Sequence, residues 1–251
     1  MTAITYMWAL YAREVKRFQK LWLDTVATPI MSTVLYLTIF GVIAGGRAVS
    51  GTTYSAFVYA GLLGMMMVNS SFSNPTFALI LSKNVGTIID IQLAPIAPWR
   101  VGIAYALAGF TRGVYTVVIA SLLTIWFIPG ISIQHPLTFL IALLLTGLEF
   151  GMLGVIFGLI MKNFESLTLV MTFVMQPMIF LAGVFYPIST LPAPWNTLSQ
   201  LNPLHHNINL LRYGMIGYTD ISPLISLGVI VGISLILFTI MNQVASKSLK
   251  Q

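Results

Sequence analysis

The chain alternates long apolar stretches with short polar ones at a spacing that helices produce. Runs such as Leu140 to Leu145 and Leu224 to Ile240 show no period-two alternation, whereas a strand of a membrane barrel exchanges apolar and polar at every second residue. In hydrocarbon each backbone amide must be satisfied within the spanning element, so runs that are not barrel strands are helices. About 20 predominantly apolar residues suffice to cross. Six such spans are expected, at 24–44, 55–80, 101–128, 137–161, 166–186 and 222–244. The expected fold is an all-α membrane protein forming one domain over residues 1–251, with loops too short for a second, soluble domain.

Three segments break the pattern. In residues 1–22, Ile4, Trp8, Tyr11, Val15, Phe18 and Trp22 recur at helical spacing opposite Arg13, Lys16, Arg17 and Lys20. This predicts an amphipathic helix on the membrane surface, either a basic anchor for the first span or a contact surface for a cytoplasmic partner. In residues 82–100, apolar Ile88, Ile91 and Leu93 surround Asp90 and stop at Pro95, which predicts a short helix outside the bilayer. Residues 187–220 are apolar but interrupted by Pro187, Pro192, Pro194 and Pro203. Pro192 is expected to start one short helix. Asn202 as N-cap with Pro203 at the first helical position starts another. Each is too short to cross, so an outer re-entrant hairpin is expected, with Leu204, Ile208, Leu211 and Met215 on its apolar face and Asn207 and Arg212 turned to water. Pro75 and Pro177 permit bends within the second and fifth spans.

Composition agrees with a membrane location. Charged residues are 7% of the chain and hydrophobic residues 57%, against about 25% charged in a soluble domain. Lys and Arg concentrate in the segments that an inside N-terminus makes cytoplasmic: Arg13, Lys16, Arg17, Lys20, Lys83, Arg100, Lys162, Lys247 and Lys250, with only Arg47 and Arg212 outside. The positive-inside bias therefore predicts both termini cytoplasmic. Trp8, Trp22, Trp99, Trp126 and Trp195 all fall at predicted span ends or interfacial segments, where indoles favour the headgroup boundary. Topology and anionic lipid account for the net charge of +6 without a nucleic-acid partner. The first basic residue, Arg13, and the long apolar run from Thr25 to Ala44 do not fit a cleaved signal peptide.

Candidate chemistry is sparse. The chain has no cysteine, hence no disulfide or thiolate metal site. His135, His205 and His206 fall in predicted outer loops without a carboxylate pair, so no metal is expected, and Ser70 and Ser71 have no intramembrane histidine as general base. Ionisable groups at mid-depth are costly and hence informative. Arg112 in the third span and Glu149 in the fourth lie at similar depth, either pairing to stabilise the bundle or lining a polar pathway. Asn69, Ser70, Ser71 and Asn74, with Gln176 in the fifth span, are polar at comparable depth, where hydrogen bonding between helices is an equally good reading.

The segment 82–100 resembles the coupling-helix region of type-2 ABC exporter permeases, in which a basic residue, a Gly-Thr pair, an acidic residue and a proline recur. Lys83, Gly86, Thr87, Asp90, Leu93 and Pro95 occupy comparable places, with Asp where Glu is usual. The stretch from Leu181 to Gly217 is similar to the same family's segment after the fifth span: Gly183, Pro187, Leu191, Pro192, Trp195, Asn202, Pro203, Leu211 and Arg212 follow in the family's order. The resemblance is strongest to small bacterial permeases related to drug, nodulation-factor and polysaccharide exporters. It implies a bacterial inner-membrane subunit with no catalytic site, two copies of which join two copies of a separate cytoplasmic ATPase that holds ATP and Mg. The 82–100 loop and the N-terminal helix would dock on that ATPase, the cargo would pass along the dimer seam, and the hairpin would cap the exit. No Gly-Lys dipeptide occurs, so the chain carries no phosphate-cradling loop of its own. A gradient-driven transporter using Arg112 and Glu149 for ion coupling, and a non-transporting assembly subunit, are the alternatives. The cargo is not legible.

Overall fold

The computed structural model describes residues 3–44, 48–49, 52–124, 126, 128 and 131–249. Arg47, expected in an outer loop, lies outside them. The chain opens with α1 (Ala3–Lys20), a π-helical turn (Leu23–Ala27) and α2 (Thr28–Ala44). A two-residue antiparallel ladder of β1 (Ala48–Val49) and β2 (Thr52–Thr53) leads into α3 (Tyr54–Val85). Then come α4 (Ile88–Leu93), α5 (Pro98–Thr124) and α6 (Pro136–Ile160). The next span is composite: α7 (Phe164–Val170), a π-helical turn (Met171–Met175) and α8 (Gln176–Leu181). Finally α9 (Trp195–Leu201) and α10 (Pro203–Ile216) precede α11 (Pro223–Leu249).

Among the described residues, five helical stretches are long and apolar enough to cross a bilayer: α3, α5, α6, the Phe164–Leu181 stretch and α11. These match five of the six expected spans to within a few residues. The remaining one, α2, has 17 residues and approaches spanning length only together with the π-helical turn before it. Helix α3 is the central post, with 83% of its most apolar window buried, against 17% for Phe164–Leu181 and for α11. The interior is thus α3 against α5, α6 and α10, while α2, α7, α8 and α11 present apolar side chains outward, among them Leu35, Leu169, Phe180 and Leu235.

Small residues allow this close contact, which apolar side chains surrounded by equally apolar lipid would not drive alone. A Cβ on Gly109 of α5 would sit 2.5 Å from the Ser71 carbonyl of α3, and one on Gly151 of α6 would sit 2.6 Å from the Ala106 carbonyl of α5. The Pro75 ring fills the space that Gly109 and Gly154 leave, so this proline is packed into the interior rather than placed at an open bend. Pro177, by contrast, follows directly on the π-helical turn, a local widening of the helix at the expected bend.

Helix α1 lies against α5, fixed by Tyr11 Oη to Thr111 Oγ1 (2.9 Å) and by Arg13 Nη2 donating to Tyr105 Oη (2.9 Å). Its amphipathic character holds, but the orientation differs from the expected one. Ile4 and Trp8 are exposed, while Glu14 and Phe18 are buried and Arg17 is partly buried against α3. The five tryptophans are all exposed, as residues at a lipid boundary are.

Candidate translocation groove and coupling helix

One face of α3 lines three successive clefts. The first, about 550 Å³, lies between Ala78, Leu81, Ser82 and Val85 of α3 and Arg13, Glu14, Lys16, Arg17 and Lys20 of α1. The second, about 230 Å³, is bounded by Ser73, Asn74 and Phe77 of α3, Arg17 and Phe18 of α1, Thr25, Arg112 and Leu167. The third, about 250 Å³, lies between Leu62, Met65, Met66, Asn69 and Ser70 of α3, Thr28, Pro29, Ser32, Thr33 and Tyr36 of α2, and Gln176 of α8. From Leu62 to Val85 the α3 residues involved recur at the three- and four-residue spacing of a single helical face. On the opposite wall α1, the π-helical turn and α2 follow one another in the same direction. The result is a groove that begins among cations and ends among uncharged hydroxyl and amide groups.

Arg17 joins the first two clefts. Its Nη2 donates to Asn74 Oδ1 (3.1 Å) and to the Asn74 carbonyl (3.2 Å), is ion-paired to Glu14 Oε2 (3.0 Å), and its guanidinium stands 5.6 Å from the Phe77 ring centroid. Burial pulls the Arg17 guanidinium below its ordinary value, and the Glu14 carboxylate opposes that shift. Glu14, only 3% exposed, is also paired with Arg13 (3.2 Å). A buried carboxylate held between two guanidiniums is compensated.

Of the polar residues expected at mid-depth, Asn69, Ser70 and Gln176 come together in the third cleft, and Arg112 lines the second. Ser71 does not join them, because its side chain and carbonyl face Gly109 and Gly113 of α5. Arg112 and Glu149 do not form an ion pair. Helix α5 meets α6 through Ala106 and Phe110, and at about 100° per residue Arg112 lies roughly 140° round the axis from that contact. Glu149 instead accepts from Asn207 Nδ2 of α10 (3.0 Å), and Thr146 donates to Asn207 Oδ1 (2.8 Å).

That hydrogen bond places α10 inside the bundle. The expected N-cap is present: Asn202 Oδ1 accepts from the Leu204 amide (3.1 Å), and Asn202 Nδ2 donates to the Met178 carbonyl (2.6 Å). Pro192, however, does not begin α9, which starts at Trp195, with the Pro192 carbonyl accepting from the Asn196 amide. Nor do Asn207 and Arg212 face water, since both are fully buried. Arg212 donates to the Gly183 carbonyl (2.8 Å), lies 3.7 Å from Asp220 Oδ2, and stacks 3.7 Å from the Phe57 ring centroid. His205 and His206, expected in a loop, are likewise buried on α10. A re-entrant helix with polar side chains on opposite sides, as His205 and Arg212 are to Asn207, satisfies them only in protein, because lipid offers no hydrogen bonds. The outward hairpin is therefore a stem of the bundle, with Trp195 exposed at its α9 end.

At the opposite end, Gly86 closes α3 in the left-handed conformation (φ 84°), and the chain turns into α4. Ile91 is buried against a cluster that includes Leu10 of α1 and Leu249 of α11, and Gln92 donates to the Ser248 carbonyl (3.2 Å). Ile89, Asp90 and Leu93 are exposed, Leu93 by 80%. Pro95 follows α4 in an exposed position, and Thr87 only just reaches the Ser82 carbonyl (3.5 Å). Lys83 turns away from this surface and donates to the carbonyls of Leu159 and Met161 (2.9 Å to the latter), capping the C-terminal end of α6.

Residues 5–216 match the family model described as ABC-2 type transporter. The chain is 30% identical to the "Inner membrane transport permease YadH" of Escherichia coli (strain K12) over 225 residues, covering 89% of this chain and 88% of that protein. It is also 30% identical to "Nodulation protein J" of Rhizobium meliloti (strain 1021) over 241 residues, covering 89% and 85%. With its multi-pass helical bundle, groove and displayed short helix, the chain belongs to the ABC-2 type transporter family as a permease subunit.

Proposed function

We propose that this chain is the transmembrane subunit of an ATP-driven exporter in a bacterial inner membrane, working as a dimer on a separate ATPase that binds ATP and Mg. The observation that carries the reading is α4. A six-residue helix is anchored by one buried isoleucine, Ile91, and shows Ile89, Asp90 and Leu93 to solvent. Exposed apolar groups on a rigidly seated knob suit a docking partner. Gly86, Thr87 and Pro95 set the shape of that knob. Lys83, which ties the end of α3 to the end of α6, would pass movement of the knob into the bundle. Helix α1 and the end of α11 pack beside α4, which supports placing all three on one side, cytoplasmic in this reading.

The groove supplies the pathway. Its walls, α2 and α7–α8, carry exposed Leu35, Leu169 and Phe173, apolar surface that a second copy of the chain would cover while closing the groove into a conduit. Asn69, Ser70 and Gln176 would then meet the cargo, and the α9–α10 unit, with Pro187, Trp195 and Arg212, would shape the outer exit.

The test is co-purification of the full-length chain with an ATPase subunit, followed by ATP hydrolysis and vesicle transport with Asp90→Ala. Retained assembly with weakened coupling is expected. Undiminished transport in ATP-depleted vesicles under an ion gradient would favour a gradient-driven transporter instead.

A further inference from the structure

We infer that the cleft between α1 and the end of α3 is a binding site for a phosphate-bearing amphiphile drawn from the cytoplasmic leaflet. Among the described residues, four cationic side chains line it, Arg13, Lys16, Arg17 and Lys20, against one carboxylate, Glu14. Glu14 engages Arg13 and Arg17. Lys16 and Lys20 are exposed and make no ion pair among the described residues. The facing wall is mostly aliphatic, with Ala78, Leu81 and Val85 of α3 beside the hydroxyls of Ser82 and Thr87.

Cations on one side and aliphatic surface on the other fit a charged head joined to a chain, rather than a soluble anion. The depth agrees, because Trp8, Leu21, Trp22 and Leu23, on and just after α1, are exposed and place this helix at headgroup level. Phosphate is the anionic group that basic side chains meet at that level. Arg17 also lines the next cleft along the groove, beside Asn74 and Arg112. Glu14 occupies the arginine pair as an internal anion, so it competes with the head for Arg13 and Arg17. The site deepens the reading of the groove as a conduit and rests on that reading for the direction of passage, while the binding itself is independent of any ATPase.

The test titrates the purified full-length chain, in uncharged maltoside micelles, with dioctanoyl phosphatidic acid, dioctanoyl phosphatidylcholine and inorganic phosphate. Expected are saturable binding of phosphatidic acid at one site per chain, no comparable binding of phosphatidylcholine, and no displacement by inorganic phosphate at equal concentration. Lys16→Gln with Lys20→Gln should weaken phosphatidic acid binding by about tenfold or more without moving the thermal midpoint. Glu14→Gln should tighten it. Equal binding of phosphatidylcholine, displacement by equimolar phosphate, or unchanged affinity in the double lysine variant would each overturn the inference. So would loss of the ATPase from the lysine variant with lipid binding intact, which would make the cleft a protein dock. Because both lysines are exposed, the lysine variant decides the matter even if Glu14→Gln fails to fold.

Discussion

Asn207 Nδ2 lies 3.0 Å from Glu149 Oε2, joining the re-entrant helix to the middle of α6. This contact separates a bundle with an internal re-entrant stem from a bundle with a lid. Asn207 is fully buried and its carbonyl oxygen is used as well, by Thr146, so the three side chains form a chain of hydrogen bonds across two helices. Removing Asn207 leaves a buried carboxyl without its donor.

Asn207→Ala should therefore destabilise the protein by about 1 kcal/mol, the scale of interhelical hydrogen bonds in membranes. A double-mutant cycle with Glu149→Ala in mild detergent should show coupling of at least about 0.5 kcal/mol. The same cycle between Arg112→Ala and Glu149→Ala should be additive to within about 0.5 kcal/mol, because those side chains do not pair. Strong coupling in the second cycle would refute the geometry.

Arg212 is the larger liability. Its guanidinium is fully buried between Phe57, the Gly183 carbonyl and Asp220. Arg212→Ala should cost about 3–5 kcal/mol, the penalty for leaving one partner of a buried pair uncompensated. Replacing Arg212 by Met and Asp220 by Leu together should cost less than the two single changes summed. Thermal unfolding of the four proteins decides this.

Close packing makes its own prediction. Gly151→Val places atoms where the Ala106 carbonyl already stands and should cost about 1–3 kcal/mol. Gly228→Ala on the exposed side of α11 meets nothing within 4 Å and should stay within about 0.5 kcal/mol of the parent.

The apolar spans, the N-terminal helix, the short α4 and the Asn202 cap were legible because each rests on local pattern: an apolar run, a helical stripe, a proline stop, an Asn-Pro start. Rotation of one helix against another is not local. Arg112 and Glu149 share a depth, yet which face of α5 meets α6 is set by Ala106 and Phe110 against Gly147 and Gly151. The row Gly147, Gly151, Gly154 and Gly158 marks the contact face of α6, the first two meeting α5 and the last two α3, since small residues at three- and four-residue spacing mark where helices touch. The burial of α10 was also written in the chain: His205, Asn209 and Arg212 fall on one side of the helix and Asn207 on the other, so no single polar face could turn to water. An apolar face at Leu204, Ile208, Leu211 and Met215 had suggested one-sided contact, whereas the structure buries every side.

Lys83 should behave as a connector rather than a docking residue. Lys83→Met removes the donor to the Leu159 and Met161 carbonyls and should cost about 1–2 kcal/mol. ATPase co-purification should persist while ATP-dependent transport falls, and Lys83→Arg should restore part of it. Loss of the ATPase with unchanged stability would show instead that Lys83 lies in the docking surface.

The sidedness of α4 is what an ATP-driven permease can least do without. The chain has no cysteine, so Leu93→Cys introduces a single thiol at a position 80% exposed. Treated with a membrane-impermeant maleimide, this variant should be labelled in inverted membrane vesicles and protected in intact spheroplasts. Labelling in intact spheroplasts would place α4 outside the cell, beyond the reach of any cytoplasmic ATPase, and would contradict the proposed mode of energy coupling.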